Sequence, residues 1–203
     1  MNQVIDLRAF TNPASLPTLV LIDMQAEYLA TSRALALPNV NDALANCRNA
    51  LEHARLMGMP VAYTRWLGST FFNPATRSSG WIEGFEPHGS DSIFERRQPS
   101  CYASPHFAEV MTNNSGNFIM AGFAGEAACL STAIDAFHRG HRVTYLADAS
   151  ASHGLADRPA TEVHDFVGQL MGLWGTVMRT DSWIRTTSRI VGWKHAATLG
   201  DRP

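Results

Sequence analysis

The sequence predicts an α/β fold, a doubly wound and mostly parallel six-stranded sheet with helices on both faces. Short apolar runs alternate along the chain with segments of helical periodicity, which is the pattern of βαβ units. Several of the runs are apolar throughout, as strands covered on both faces are. The 203 residues are 45% hydrophobic and 17% charged, which suits a single globular domain over 1–203.

The first strand is the apolar run 19–22, which ends at Asp23. A helix follows it, and Gly58 and Pro60 end that helix. The helix is predicted because apolar side chains recur at spacings of three and four residues: Val40, Leu44, Cys47, Leu51 and Ala54.

Segments 61–64 and 92–94 are the second and third predicted strands, and 106–111 is a short helix. The stretch 65–90 between the two strands is rich in Gly, Pro, Ser and aromatic residues and has little periodicity. We expect it to form a loop or lid over one edge of the sheet.

The second half of the chain repeats the alternation of strand and helix. Strands are predicted at 118–121, 143–146 and 175–178, and helices at 126–139 and 161–173. Six strands separated by helices complete the doubly wound sheet.

Ligands of such sheets bind beyond the carboxyl ends of the strands. Asp23 ends the first strand, Arg96 and Arg97 follow the third, and Cys129 follows the fourth at the start of a helix. We therefore expect a carboxylate, a cation and a thiol on one edge of the sheet.

Cys129 is a candidate nucleophile, because the helix N-terminus lowers a thiol pKa and its free N–H groups can bind an oxyanion. The alternative is an ordinary small buried side chain. Cys47 lies on an apolar helix face and is expected to be structural, and a passive role is favoured for Cys101. Asp23 suits proton transfer, since burial raises a carboxyl pKa, but it is also a possible helix cap.

Several classes of function are not expected. A net charge of −2 leaves no basic excess for nucleic acid, and no apolar run approaches the ~20 residues of a membrane span. The N-terminus lacks the pattern of a signal peptide, and three cysteines are too few for a disulfide scaffold, so a cytoplasmic location is expected. No HExxH, GxGxxG or GxSxG motif occurs, so no metal, no cofactor and no serine nucleophile are expected.

The chain resembles the isochorismatase-like cysteine hydrolases, a superfamily that includes nicotinamidases, N-carbamoylsarcosine amidases and isochorismatases. The resemblance runs from about Leu19 to Ile184. It is carried by the opening strand with Asp23, the turn at 54–61 and the segment 122–136 with Cys129. It implies an isochorismatase-like hydrolase fold, with Asp23 as acid and base and Cys129 as nucleophile.

The resemblance also implies a cis peptide at Ala124–Gly125 and an oxyanion hole formed by the N–H groups of Gly125 and Cys129. The third catalytic residue of the family is a lysine, and Arg96 stands at that position here. We take Arg96 as the third member of the catalytic triad, with Arg97 as the alternative, and expect Arg96 to lower the thiol pKa. Lys194, the only lysine in the sequence, lies beyond the matched region.

We expect the substrate to be a small molecule, and the candidates for its pocket are Gln25, Tyr28, Phe71, Phe72, Trp81 and Ala124. No Asp-x-His follows the second strand, which argues against the nicotinamidase metal site and against nicotinamide as the substrate.

The primary prediction is a metal-free cysteine hydrolase acting on a small amide or related C–N bond. The alternatives are an isochorismatase-type hydrolase of a vinyl ether and a non-catalytic binder or thiol sensor on the same fold. The resemblance implies a homo-oligomer, a dimer or tetramer, for which the region around Trp174, Trp183 and Trp193 is a candidate interface.

Overall fold

The computed structural model describes residues 16–38 and 40–188. Its strands and helices are β1 (Thr18–Ile22), α1 (Asn41–Leu56), β2 (Val61–Trp66), β3 (Ser92–Arg96), α2 (Pro105–Asn113), β4 (Asn117–Phe123), α3 (Leu130–His138), β5 (Arg142–Ala151), α4 (Ala160–Trp174), β6 (Thr176–Met178) and α5 (180–188). A π-helical turn, Gly125–Cys129, leads into α3.

All six strands are parallel, in the order β3-β2-β1-β4-β5-β6, which confirms the predicted fold class. β1 lies at the centre and every residue of it is buried. Leu19 and Leu21 pack on one face of the sheet with α1 and α5, whereas Val20 and Ile22 pack on the other with α2, α3 and α4. The alternation of a strand explains why one continuous apolar run supplies two cores.

Strands β2 to β5 all run further at their carboxyl ends than the sequence predicted. β3 continues to Arg96 because Arg65 and Trp66 of β2 pair with its last residues. β5 continues to Ala151 because a shift in register lets Ser150 pair with Gly122 of β4. These extensions depend on a neighbouring strand, and they carry polar residues into the edge where the site lies.

The order of the strands reverses between β1 and β4. The connections from β1 lead outward through β2 to β3, and those from β4 lead outward through β5 to β6. The loops after β1 and β4 therefore turn away from each other and leave a crevice at their carboxyl ends, where ligands of doubly wound folds bind.

Trp174 and Trp183, the described tryptophans of this C-terminal region, both pack against other side chains of the chain. Trp183 is buried against His53, with ring centroids 5.1 Å apart, and Trp174 packs on Phe137. The proposed interface role does not suit a side chain as buried as Trp183, and Trp193 and Lys194 lie outside the described residues. Within the described ranges, no helix has the length and apolar character needed to cross a membrane.

Candidate active site

Asp23 is held at the carboxyl end of the central strand. Its backbone turns out of β1 with φ of 48°, a left-handed conformation that aspartate adopts more readily than most residues. Its N–H donates to the carbonyl of Thr64 at 3.0 Å, and the residue is fully buried. The carboxylate is therefore fixed inside the crevice between β1 and β4.

Arg96, at the end of β3, is the cation that pairs with this carboxylate. Its Nη2 donates to Asp23 Oδ2 at 2.6 Å, and both side chains are inaccessible to solvent. Its Nη1 donates to the carbonyl of Gln98 at 2.6 Å, and its guanidinium lies 4.9 Å from the ring centroid of Trp66. Arg97 is exposed, so of the two candidates Arg96 is the one that contacts Asp23.

The protonation of Asp23 follows from these contacts. Burial raises its pKa from 3.8 to about 6, although Arg96 and a 3.4 Å hydrogen bond from Thr64 Oγ1 act in the opposite direction. A pKa of about 6 leaves the group mostly ionised at neutral pH and still able to hold a proton. That property suits a residue that accepts a proton and returns it.

Cys129 is placed by Gly122, the residue of β4 that pairs with Ile22. Gly122 has φ of 111°, and a Cβ there would lie 2.1 Å from the carbonyl oxygen of Ile22, so only glycine fits. Its own carbonyl accepts from Cys129 Sγ at 3.6 Å and from Ser150 Oγ at 2.7 Å. The thiol therefore lies at the mouth of β4, next to the strand that carries Asp23.

The expectation of a lowered thiol pKa is wrong for this structure. Burial raises the pKa of Cys129 well above 9.0. Arg96 does not offset the burial, because its two terminal nitrogens bind Asp23 and Gln98 rather than the sulfur. Cys129 is consequently a thiol rather than a thiolate at neutral pH.

The turn before Cys129 differs in one detail from the expectation. The cis peptide joins Phe123 to Ala124, one residue earlier than Ala124–Gly125. The N–H of Cys129 donates to the carbonyl of Ala124 at 3.2 Å, so this donor has a backbone partner in the structure. The oxyanion hole of Gly125 and Cys129 stays a prediction.

A cavity of about 380 Å³ lies against the turn that carries Cys129. Its wall includes four of the expected pocket residues, Tyr28, Phe71, Phe72 and Ala124. The cavity is also lined by Trp66, which contacts Arg96, and by the pair Glu126 and His153. The volume is in the range of small-molecule sites, and most of the lining is aromatic or aliphatic.

Two expected pocket residues lie elsewhere. Gln25 is fully buried and serves as a backbone clamp, because its side chain exchanges hydrogen bonds with the N–H and C=O of Trp66 and donates to Ser79. Trp81 pairs with Gln25 through a β-bridge and packs edge-on against Tyr63. Both residues anchor the loop that follows β2, so their effect on the cavity is indirect.

A second cleft of about 610 Å³ opens on the other side of β5, and its lining includes Asp42, Asn46, Asp148, Ser150, His164 and Arg179. Although it is larger, its lining approaches Cys129 through Ser150, whose Oγ lies 3.9 Å from Sγ. The aromatic cavity instead contains residues of the Cys129 turn and the Trp66 side chain that contacts Arg96. The aromatic cavity is therefore the better candidate for a substrate pocket.

The sequence matches a model of the isochorismatase domain over residues 17–181. The chain belongs to the isochorismatase domain family. The matched region contains every residue of the site described above, and it spans all six strands.

Known members of the family support this assignment. An isochorismatase of Bacillus subtilis (strain 168) is 26% identical over 152 residues, which is 68% of this chain, and the chain spans about half (48%) of that protein's length. The crystal structure of an isochorismatase from Pseudomonas putida KT2440 is 27% identical with a TM-score of 0.77, over 89% of this chain and 99% of that one. A cysteine hydrolase structure from Pseudomonas syringae pv. phaseolicola 1448A, 20% identical over 88% and 95% of the two chains, shares the fold with a TM-score of 0.79.

The remaining cysteines of this isochorismatase-domain protein are buried. Cys47 donates to the carbonyl of Ala149 at 3.0 Å on the apolar face of α1, far from solvent. Cys101 lies 3.6 Å from Thr64 Oγ1, the hydroxyl that contacts Asp23. In the part of the chain that the structure describes, no group of three or more His, Cys, Asp or Glu side chains is arranged to hold a metal ion.

Four residues of the site were not singled out from the sequence: Thr64, Glu126, Ser150 and His153. Thr64 had a usable signal, because it ends the second predicted strand and so faces the same edge as Asp23. Glu126 and His153 had none, since 27 residues separate them and no motif links them.

Proposed function

We propose that the protein is a cysteine hydrolase that cleaves a small amide, or a related C–N bond, through a thioester on Cys129. The observation that carries the proposal is the fully buried ion pair of Asp23 and Arg96 at the strand-order reversal. Burying a charged pair is expensive, and such pairs occur where a reaction needs a charge held without water. The nucleophile candidate lies on the adjacent strand connection.

The reaction begins with the thiol of Cys129. Because burial raises its pKa, Sγ attacks the amide carbon as its proton passes to the Asp23 carboxylate. Arg96 keeps Asp23 ionised before this transfer, since its positive charge lowers the carboxyl pKa that burial raises. The products of this step are a tetrahedral oxyanion and a protonated Asp23.

The tetrahedral intermediate then loses its amine. The C–N bond breaks, the nitrogen takes the proton from Asp23, and the acyl group remains on Sγ as a thioester. A water molecule attacks the thioester while Asp23 accepts its proton. The C–S bond breaks, the acid leaves, and the proton on Asp23 returns to Cys129. The net reaction is amide plus water giving acid plus amine, and the proposal assigns no step to a metal or a cofactor.

A panel of small amides and carbamoyl compounds, assayed for release of ammonia or amine, tests this function. Wild type should turn over at least one member, and Cys129→Ala should abolish turnover. Cys47→Ala is a matched control, because it removes a cysteine that is equally buried but lies in the α1 core. Intact mass of rapidly quenched enzyme should show the acyl group on Cys129, and turnover that survives Cys129→Ala refutes the covalent mechanism.

A vinyl-ether hydrolase is the second candidate, favoured by the similarity to proteins named isochorismatase. That reaction protonates the substrate and does not need a thiol, and Asp23 with a pKa of about 6 is able to supply the proton. Pyruvate released from isochorismate by both wild type and Cys129→Ala supports this candidate over the amidase. A thiol sensor would instead give a sulfenic acid at Cys129 and no turnover of any compound.

A further inference from the structure

Thr64, in β2, is joined to Asp23 by two hydrogen bonds. The carbonyl of Thr64 accepts from the N–H of Asp23 at 3.0 Å, and Thr64 Oγ1 donates to Asp23 Oδ1 at 3.4 Å. An ionised carboxylate accepts hydrogen bonds and cannot donate them, so the hydroxyl is the donor whenever Asp23 is ionised. Both residues are fully buried, and the hydroxyl therefore occupies a position that bulk water does not reach.

The thiol of Cys101 donates a hydrogen bond to the same hydroxyl. Its Sγ lies 3.6 Å from Thr64 Oγ1, and its backbone N–H donates to Thr132 Oγ1 at 3.0 Å. Thr132 Oγ1 donates in turn to the carbonyl of Ala128, the residue before the nucleophile, at 2.7 Å. The hydroxyl of Thr64 thus accepts from the thiol and donates to the carboxylate, within a chain of contacts that reaches the nucleophile's turn.

The two oxygens of the Asp23 carboxylate are held from different strands. Arg96 of β3 donates to Oδ2 at 2.6 Å, and Thr64 of β2 donates to Oδ1. The N–H of Trp66 also lowers the Asp23 pKa, and it donates to Gln25 Oε1 at 2.8 Å. The terminal torsion of an aspartate is soft, and a donor on each oxygen fixes the plane of the carboxylate more firmly than a donor on one.

We propose that Thr64 is a positioning residue, which fixes the plane of the Asp23 carboxylate so that one of its lone pairs is directed at the proton of Cys129. This inference rests on the proposed function, because it concerns the base of the same reaction. In that step the S–H bond breaks, the proton passes to the carboxylate, and the sulfur electron pair forms the bond to carbon. Proton transfer depends on alignment, and Thr64 does not line the aromatic cavity, so its hydroxyl affects the step rather than substrate binding.

Ionisable side chains on four elements act on the Asp23 carboxylate. They are Tyr28 in the turn after β1, Arg96 in β3, Cys101 in the turn after β3 and Cys129 in the π-helical turn. Burial raises the pKa values of Tyr28, Cys101 and Cys129 above their ordinary values, so these three are neutral near pH 6. Arg96 is the charged member of the group, and a carboxyl titration near pH 6 at this site therefore reports Asp23.

Titration of the aspartate carboxyl carbons by NMR tests the proposal without any turnover. The Asp23 signal is assigned by its loss in Asp23→Asn. In Thr64→Val, which removes the hydroxyl, we expect the titration midpoint to rise from about 6 by roughly half a unit to one unit, because a hydrogen bond to the ionised form is lost. The rise is less than a short hydrogen bond would give, because Oγ1 and Oδ1 are 3.4 Å apart.

Thr64→Ser keeps the hydroxyl and should return the midpoint to near the wild-type value. The matched control is Thr18→Val, since Thr18 is a buried threonine of β1 whose Oγ1 has no hydrogen-bond partner among the described residues. That variant should leave the Asp23 midpoint unchanged. Thr64→Ala removes the same hydroxyl without placing an apolar group there, and it supplies the measurement if the valine variant does not fold.

The rate at which iodoacetamide alkylates Cys129 gives a second readout. Sulfur displaces iodide while its proton passes to Asp23, and peptide mass distinguishes Cys129 from the other cysteines. At pH ~8, where Asp23 is ionised in both proteins, Thr64→Val should react severalfold more slowly than wild type or Thr64→Ser. The more basic Asp23 of the valine variant would by itself speed the reaction, so a slower rate reports lost alignment.

A midpoint that does not rise in Thr64→Val or Thr64→Ala, or that Thr18→Val raises equally, would overturn the role of Thr64. So would a rise that Thr64→Ser does not reverse, or alkylation of Thr64→Val as fast as wild type. If both readouts behave as expected but wild type hydrolyses no amide or carbamoyl compound, the proposed hydrolysis fails while the positioning of Asp23 by Thr64 stands.

Discussion

Replacing Arg96 by glutamine should move the acid limb of the pH–rate profile to higher pH. In the wild type, kcat/KM should rise through pH ~6, because Asp23 must be ionised to accept the thiol proton and its pKa is about 6. Arg96 holds that value down through a 2.6 Å contact between two fully buried side chains. Without the guanidinium, no cation opposes the rise in the Asp23 pKa that burial causes.

The size of the shift follows from the contact. An adjacent arginine lowers an aspartate pKa by roughly one to three units, so the limb of Arg96→Gln should move to between about pH 7 and 9. That shift corresponds to roughly 1–4 kcal/mol lost from the ionised form of Asp23. At pH 7 the variant should therefore be up to about a hundredfold slower while recovering activity at higher pH.

The free energy of unfolding should also depend on pH, because folding raises the pKa of Asp23. Asp23 binds its proton more tightly in the folded state, where its pKa is about 6, than in the unfolded chain, where it is 3.8, so its contribution to stability falls as pH rises through that interval. In Arg96→Gln the pKa of folded Asp23 is higher, so the pH interval over which stability falls extends to higher pH. The loss of unfolding free energy, measured with urea, should therefore be larger at pH 8 than at pH 5, where Asp23 is protonated in both proteins.

Two controls accompany the profile. Arg96→Lys keeps a positive charge, although not the two-pronged geometry, and should leave the limb near pH 6. Arg97→Ala removes an exposed neighbouring charge and should not move it. If the limb stays in place in Arg96→Gln, or if Arg97→Ala moves it, Arg96 does not set the ionisation of Asp23 and the assignment is refuted.

Three further outcomes are expected. Cys129 in the free protein should react slowly with iodoacetamide at pH 7, because it is buried and its pKa is raised; rapid labelling seen by intact mass would contradict this. Gly122→Ala should lower the free energy of unfolding by about 3 kcal/mol or more, because its Cβ would clash with Ile22. Gly58→Ala is the control and should cost only about 1–2 kcal/mol, because Gly58 has φ of +65° but open space around it. Equal urea midpoints for the two variants would refute the argument. Ser150→Ala should lower kcat with little change in KM, since Ser150 positions the carbonyl that contacts Cys129 and does not line the aromatic cavity; a change confined to KM would place it in substrate binding.

The alternation of side chains along the third strand distinguishes Arg96 from Arg97. Side chains of a strand alternate between its two faces, and Phe94 is an apolar residue that belongs in the core. Arg96 shares its face and Arg97 does not, so the strand period alone favours Arg96. The predicted strand ends at 94, so this period applies to residues 96 and 97 only once the paired β2 extends β3.

The thiol pKa shows where sequence reasoning failed. A cysteine at a helix N-terminus near an arginine is expected to have a lowered pKa. The structure gives the opposite direction because burial dominates and the arginine binds the carboxylate instead. How deeply a side chain lies, and which of two anions a cation contacts, depend on distances across strands that no local pattern encodes.

The sequence by itself determined the order of strands and helices, the two-sided burial of β1 and the edge where Asp23, Arg96 and Cys129 meet. The period of apolar side chains identifies the strands and helices. In a parallel sheet, the residues that follow the strands all lie at the carboxyl edge. Only the tertiary structure decided the pairing of Asp23 with Arg96, the protonation of the thiol and the Glu126–His153 pair in the cavity. Each of those depends on groups tens of residues apart, and their burial and contacts arise only when the sheet has assembled around them.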